Sequence, residues 1–203
     1  MRFGAIVRVE PLIPSELALP FAGRETELAL LAARMADAAK RRGSITLVHG
    51  EAGVGKTTLL NRCTAIAAEH GLRTLTLRDI AEDTSPLGPW RRLFFEAGAG
   101  DLDVVVRAHP SDLPTAVAHA FAAGLSEPTL LIVDDAHELA GEALDIFVAL
   151  AQAASAEHAI IAGVRPEGLT LLRSRFVDAS FEELPIGRLD RSAVNRNPRR
   201  RGA

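Results

Sequence analysis

The sequence predicts an α/β fold, a three-layer sandwich in which a central, mostly parallel β-sheet is flanked by helices. Two observations predict it. Short apolar, β-branched runs alternate with helical stretches of roughly ten to fifteen residues, the pattern of repeated βαβ units. The first such run also passes through a glycine-rich loop directly into a helix, at the sheet edge where open α/β folds bind ligands. With 203 residues, 48% of them hydrophobic, the chain is long enough to bury one substantial core.

The elements follow in order. Residues 1–20 carry Pro11, Pro14 and Pro20, which bar a long helix and make this stretch an extended lead-in to a domain over residues 21–190. From Glu25 to Lys40, Leu28, Leu31, Met35 and Ala39 recur at helical spacing and predict a helix with one core-facing stripe. "SITLVHG" is apolar and β-branched between glycines, as a strand buried on both faces should be. Lys56 to His70 reads as a helix closed by Gly71. "LRTLTLRD" is a second strand, "PLGPWRRLFFEAG" and "LPTAVAHAFAAGL" are helices, and "PTLLIVDD" is a third strand. "GEALDIFVALAQAA" then gives a helix, "HAIIAGVR" a fourth strand and "FVDASFEELPI" a fifth. The ending "NRNPRRRGA" loses apolar periodicity and reads as a basic, disordered tail over residues 191–203.

A formal charge of −3 offers no global attraction to nucleic acid or anionic membrane. The single cysteine, Cys63, has no internal disulfide partner and falls within a predicted helix, which suits a core-facing thiol in a reducing compartment. The apolar run near the N-terminus is interrupted by Arg8 and Glu10, too soon for a signal-peptide core. No segment approaches the roughly 20 apolar residues of a membrane span. A cytoplasmic location is the expectation.

Gly50-Glu51-Ala52-Gly53-Val54-Gly55-Lys56-Thr57 satisfies G-x-x-x-x-G-K-[ST] between a predicted strand and a predicted helix. Glycines let the backbone curl around a phosphate, and the N–H groups of loop and helix start act as donors to it. Lys56 is expected to reach the β- and γ-phosphate oxygens, Thr57 to ligate Mg²⁺ through its hydroxyl, and Thr58 to add a phosphate contact. A dinucleotide fingerprint is disfavoured, because Thr58 stands where its third glycine belongs. The predicted fold is therefore that of a P-loop NTPase.

"LLIVDD" places Asp134 and Asp135 at the carboxyl edge of the same sheet. Asp134 is expected in the magnesium shell, and Asp135, one residue further out, is placed to orient or activate an attacking water. Arg165, at the end of the fourth strand, is directed at the γ-phosphate by the same edge geometry. His49 and His137 flank these motifs as loop or core hydrogen-bonders, with no metal-ligand spacing between them.

Beyond these motifs the chain resembles the AAA-type ATPase module of large ATP-binding LuxR-type transcriptional regulators, within the signal-transduction (STAND) class of NTPases. The resemblance spans most of Pro20 to Val194 and rests on "LPFAGRETELALL", "LVHGEAGVGKTTLL", "DTSPLGPWRRLF", "LLIVDDAHEL", "AIIAGVRPE" and "ELPIGRLDRSAV". It implies that Ala22, Gly23 and Arg24 lie near adenine and ribose, that the nucleotide is ATP rather than GTP, and that Arg165 is a sensor arginine. Two departures stand out. Glu138-Leu139-Ala140 replace the aromatic and acid usual after this histidine, and the helical lid, sensor repeats and DNA-binding domain of the family would lie beyond this chain. The resemblance thus implies a truncated relative, and the abrupt turn to Arg, Pro and Gly in "NRNPRRRGA" gives the expectation of an out-of-frame end.

The leading functional expectation is an ATP-binding, slowly hydrolysing switch module that works with further regulator domains or a protein partner. Asp at position 135, where many hydrolases use the longer Glu, motivates the slow rate. A P-loop small-molecule kinase is the alternative, with Arg173 and Arg175 as clamping arginines. A non-catalytic nucleotide-binding scaffold is the third. Direct DNA contact through the tail would be salt-sensitive and blind to sequence, and is not expected.

Overall fold

In the computed structural model, residues 23–78, 80, 87–109, 111–176 and 179–189 are described. The lead-in, Ala22 and the tail lie outside them. The chain divides into a unit over Glu25–Arg188 and a terminal unit, of which Gly23, Arg24 and Leu189 are described. Gly23 has φ 89° and Arg24 is buried.

The larger unit runs α1 (Glu25–Ala38), β1 (Ser44–His49), α2 (Lys56–Glu69), β2 (Arg73–Leu77), α3 (Gly88–Ala97), α4 (Leu102–Ala108) and α5 (Leu113–Gly124). It continues through β3 (Thr129–Val133), a single 3-10 turn (Ala136–Glu138), α6 (Gly141–Ala154), β4 (Ala159–Val164), α7 (Pro166–Arg175) and β5 (Glu182–Pro185). The five strands form one sheet in the order β2-β3-β4-β1-β5. All four ladders are parallel, with Leu47 opposite Ala162 and Ile132 opposite Ile161 in register.

Every residue of β3 and β4 is buried, whereas the edge strands β2 and β5 are partly exposed. This explains why the central strands read as continuous apolar runs. Alternate side chains serve opposite layers. Leu47, Leu131, Val133, Ile160 and Ala162 join Trp90, Phe94, Phe121, Phe147 and Leu150 in the core beneath α3, α5 and α6. On the other face α1 and α2 cover the sheet with Leu31, Met35, Leu59, Leu60 and Cys63, all buried. Burial of each such leucine contributes about 1.5–3 kcal/mol.

The α1 stripe is Leu31, Met35 and Ala38; Leu28, in the first turn, is only half-buried, as is Ala39, which lies past the helix end at Ala38. Two helices escaped the sequence reading. α4 begins at Asp101, whose carboxylate accepts the Asp103 N–H at 2.9 Å. α7 begins with Pro166 directly after Arg165, as proline favours at a helix start. None of the described helices is long and apolar enough to cross a membrane.

Candidate functional site

The loop between β1 and α2 is shaped by two left-handed glycines, Gly53 with φ 76° and Gly55 with φ 100°. A Cβ on either would meet no atom of the described residues within 4 Å, so among those residues nothing fills the space in front of the loop. Gly50 is glycine for another reason. A Cβ there would lie 2.3 Å from the carbonyl oxygen of Ile186, just past β5. Val54 is buried and packs against Gly50.

Gly55 caps α2 without any side-chain hydrogen bond, and the first turn of α2 carries no acidic residue. The donors of that turn and the positive end of the helix dipole are thus directed at the loop. Thr57 and Thr58 lie exposed on this turn. Lys56 is only 6% exposed, and its ammonium folds back to donate to the carbonyls of Gly50 at 2.7 Å and Glu51 at 3.0 Å. Burial pushes its pKa below the ordinary value and nearby Arg165 adds to the effect, against the opposing fields of Asp135, Asp134 and Glu167.

The parallel order β3-β4-β1 brings the carboxyl ends of these three strands side by side. Asp134 is buried, its N–H bonded to the Leu77 carbonyl at 2.9 Å and its Oδ1 accepting the Asp135 N–H at 3.1 Å. Gly163 of β4 leaves room for that carboxylate, since a Cβ there would stand 3.2 Å from Asp134 Oδ1. Asp135 adopts a left-handed conformation, φ 53° and ψ 43°, as it leads into the 3-10 turn. Arg165 follows β4 as the N-cap of α7.

Lys56, Asp134, Asp135 and Arg165 therefore share one edge, with Thr57 and Thr58 on the adjoining helix turn. Arg173 and Arg175, the kinase candidates, are engaged elsewhere: Arg173 pairs with Glu183 of β5, its Nε 2.6 Å from Oε1, and Arg175 with Asp145 of α6 at 2.7 Å. His49 lies 3.7 Å from Glu183. His137 is not the hydrogen-bonder expected, because both of its buried ring nitrogens lack a hydrogen-bond partner among the described residues. Glu167 and Gly163 also escaped the sequence reading. The "GVRPE" stretch that ends at Arg165 and Glu167 was the available signal.

The residues fit a magnesium nucleotide. An open glycine cradle, an uncapped helix start and an ammonium suit phosphates, and a hydroxyl with one carboxylate suits a Mg²⁺ that keeps water and phosphate oxygens as its other ligands. Among the described residues no group of three or more His, Cys, Asp or Glu could form an all-protein metal site.

Among solved structures, the chain is similar to the Orc1 protein of Aeropyrum pernix, solved in complex with DNA, at 20% identity and a TM-score of 0.57, over 82% of this chain and 45% of that one. It is also similar to a signal-transduction ATPase with numerous domains and a tetratricopeptide repeat sensor from Pyrococcus horikoshii, at 14% identity and a TM-score of 0.51, over 82% of this chain and 23% of that one. These similarities concern the fold, and the chain spans less than half the length of either protein. Comparison with curated proteins gives no significant match. Residues 20–161, well over half of the 203, match the AAA ATPase domain family. The chain belongs to the AAA ATPase domain family, with the nucleotide-binding fold that membership implies.

Proposed function

We propose that the chain binds ATP with Mg²⁺ and hydrolyses it slowly, as the nucleotide switch of a signal-transduction or transcription-regulator protein, the domain spanning residues 21–190. The observation that carries the reading is the convergence of the Gly50–Thr57 loop, with its buried ammonium, on Asp134, Asp135 and Arg165. In this reading Gly50, Gly53, Val54 and Gly55 shape the backbone cradle. Lys56 and Thr58 hold phosphate oxygens, Thr57 and Asp134 hold Mg²⁺, and Ala22, Gly23 and Arg24 attend adenine and ribose. Mg²⁺ held there would neutralise charge on the phosphates.

Asp135 orients a water in line with the terminal phosphate and accepts its proton, while Lys56 and Arg165 counter the charge that grows on the transferred group. Asp is one methylene shorter than Glu, so water is held further from the carboxylate and turnover is slow. The switch role is supported by the fold shared with a sensor-bearing signal-transduction ATPase. Further regulator domains or a protein partner would read the nucleotide state.

Calorimetry with ATP, with GTP as competitor and Lys56→Ala as control, tests binding. ATP-selective binding lost in the variant is expected, and a folded chain without binding would leave only a scaffold. Asp135→Asn is expected to retain ATP and lose hydrolysis, with ADP and inorganic phosphate as the wild-type products. A phosphorylated metabolite in place of inorganic phosphate would identify a kinase instead.

A further inference from the structure

His137 occupies the middle of the 3-10 turn that follows the two acids. The turn separates the fates of its side chains: that of Asp135 is 42% exposed, that of His137 only 9%. Both imidazole nitrogens are buried without a hydrogen-bond partner among the described residues. Buried polar atoms are rarely left so, because they lose water and gain nothing in exchange.

Packing fixes where the ring can look for a partner. The backbone of α7 lies flat against His137 at Gly168, where a Cβ would fall 2.3 Å from His137 Cβ and 3.1 Å from its Cα. Retreat towards α7 is closed. The carboxylate of Asp135 is within reach of the ring, with Oδ1 at 3.8 Å from His137 Nδ1. That distance exceeds a hydrogen bond, and a small side-chain rotation of the half-exposed Asp135 closes it.

We infer that His137 is the positioning residue of Asp135: its Nδ1–H donates to Asp135 Oδ1 and leaves the second oxygen directed at the attacking water. The inference rests on the reading of Asp135 given above. His137 touches neither nucleotide nor water in this arrangement. It removes rotational freedom from a carboxylate too short to be held by reach alone, and it ties that carboxylate to the helix that begins beside Arg165.

The test uses the full chain with three replacements and two readouts. Leu fills the space without a donor, Asn carries its amide nitrogen where Nδ1 stands, and Gln carries it where Nε2 stands. His137→Leu and His137→Gln are expected to lower kcat about 10- to 100-fold, as losses of supporting hydrogen bonds do. The Kd for ATP should stay within about threefold, and His137→Asn should recover most of the rate. In an Asp135→Asn background His137→Leu should cost nothing further. Full hydrolysis in His137→Leu beside an inactive Asp135→Asn overturns the inference alone, as do equal losses in Asn and Gln. Full hydrolysis in Asp135→Asn overturns the reading of Asp135 and the inference with it.

The second readout needs no turnover. Two-bond ¹H–¹⁵N spectra of the His137 ring should show the Nδ1–H tautomer in the wild type and its loss in Asp135→Ala. The Nε2–H tautomer in both proteins would overturn the proposal, even if His137→Leu failed to fold.

Discussion

Gly50 and Gly53 are both glycines of one loop, and the structure gives them different duties that alanine substitution separates. At Gly50 a methyl would lie 2.3 Å from the Ile186 carbonyl oxygen, whereas real Cβ contacts essentially never fall below 3.0 Å, so the Ile186 backbone must yield by at least 0.7 Å (3.0 − 2.3). The neighbouring Ile186 N–H donates to the His49 carbonyl at 2.8 Å and cannot follow such a shift intact. Overpacking of about 1–3 kcal/mol and a lost backbone hydrogen bond of about 1 kcal/mol give roughly 3 kcal/mol in all. For a chain of this size that is a fall in Tm of about 6–12 °C. Gly53 has φ 76° and no atom of the described residues within 4 Å of its missing Cβ, so among those residues alanine there carries only backbone strain. That strain is about 1–2 kcal/mol, and the new methyl projects into the cradle. Gly53→Ala should therefore lose a few degrees of Tm and most of its ATP binding, while Gly50→Ala loses stability with or without nucleotide. Thermal unfolding and calorimetry on the pair check this. A Gly50→Ala protein that melts with the wild type, or a Gly53→Ala protein that binds ATP normally, would refute the assignment of duties.

Lys56 should be the residue whose change separates stability from binding. Burial depresses its pKa, so its charge opposes folding until an anion arrives; Lys56→Met is expected to keep or raise the Tm of the nucleotide-free chain and to abolish the shift with Mg-ATP. Lys56→Arg should bind ATP as poorly as Lys56→Met, since a planar guanidinium cannot reproduce a point charge held between two carbonyls, and near-normal affinity would contradict this. His158 is buried and its pKa is held below the ordinary 6.5 by desolvation. The unfolded chain then takes up the proton first, so stability is complete above about pH 6.5 and falls as the pH drops through the folded-state pKa; His158→Leu should flatten that acid limb in urea melts at several pH values. The Cys63 thiol is fully buried and pushed up to about 12, so a thiol reagent should react only when the domain opens. Rapid labelling under native conditions would contradict that.

The sheet was legible where burial writes itself into composition. β3 and β4 are covered on both faces, and "TLLIV" and "AIIAGV" are apolar but for the Thr129 hydroxyl, which donates to the Glu127 carbonyl at 2.8 Å. The edge strand β5 is "EELP", two acids and a proline, and only its partner β1 makes a strand of it. α4 was hidden because "LDVVVRA" carries three β-branched residues and takes its helical start from the Asp101 cap. At the site, the phosphate loop and the two acids could be read because each is a local arrangement of backbone and side chain. Their mutual placement could not. It follows from β4 lying between β1 and β3, which brings Arg165 up between the loop and the acids. No local periodicity encodes strand order. The surroundings of His137 could not be read for the same reason, since Gly168, which packs against it, belongs to a helix thirty residues on.

Lys56 turns inward onto its own loop. An ammonium has three donors, and two are satisfied by the carbonyls of its own loop. The charge of the group is favoured by Asp134, Asp135 and Glu167 and opposed by burial and Arg165. Burial ranks first among these influences, so the cation is held at a cost that opposite charges only partly offset. Triphosphate supplies the negative charge that reverses the balance, and it does so at the open glycine cradle in front of the loop. The lysine is at once the staple of the loop and a charge that burial disfavours. Anion binding therefore relieves an unfavourable burial already present in the fold, which is the physical basis for expecting the nucleotide to stabilise this domain as well as occupy it.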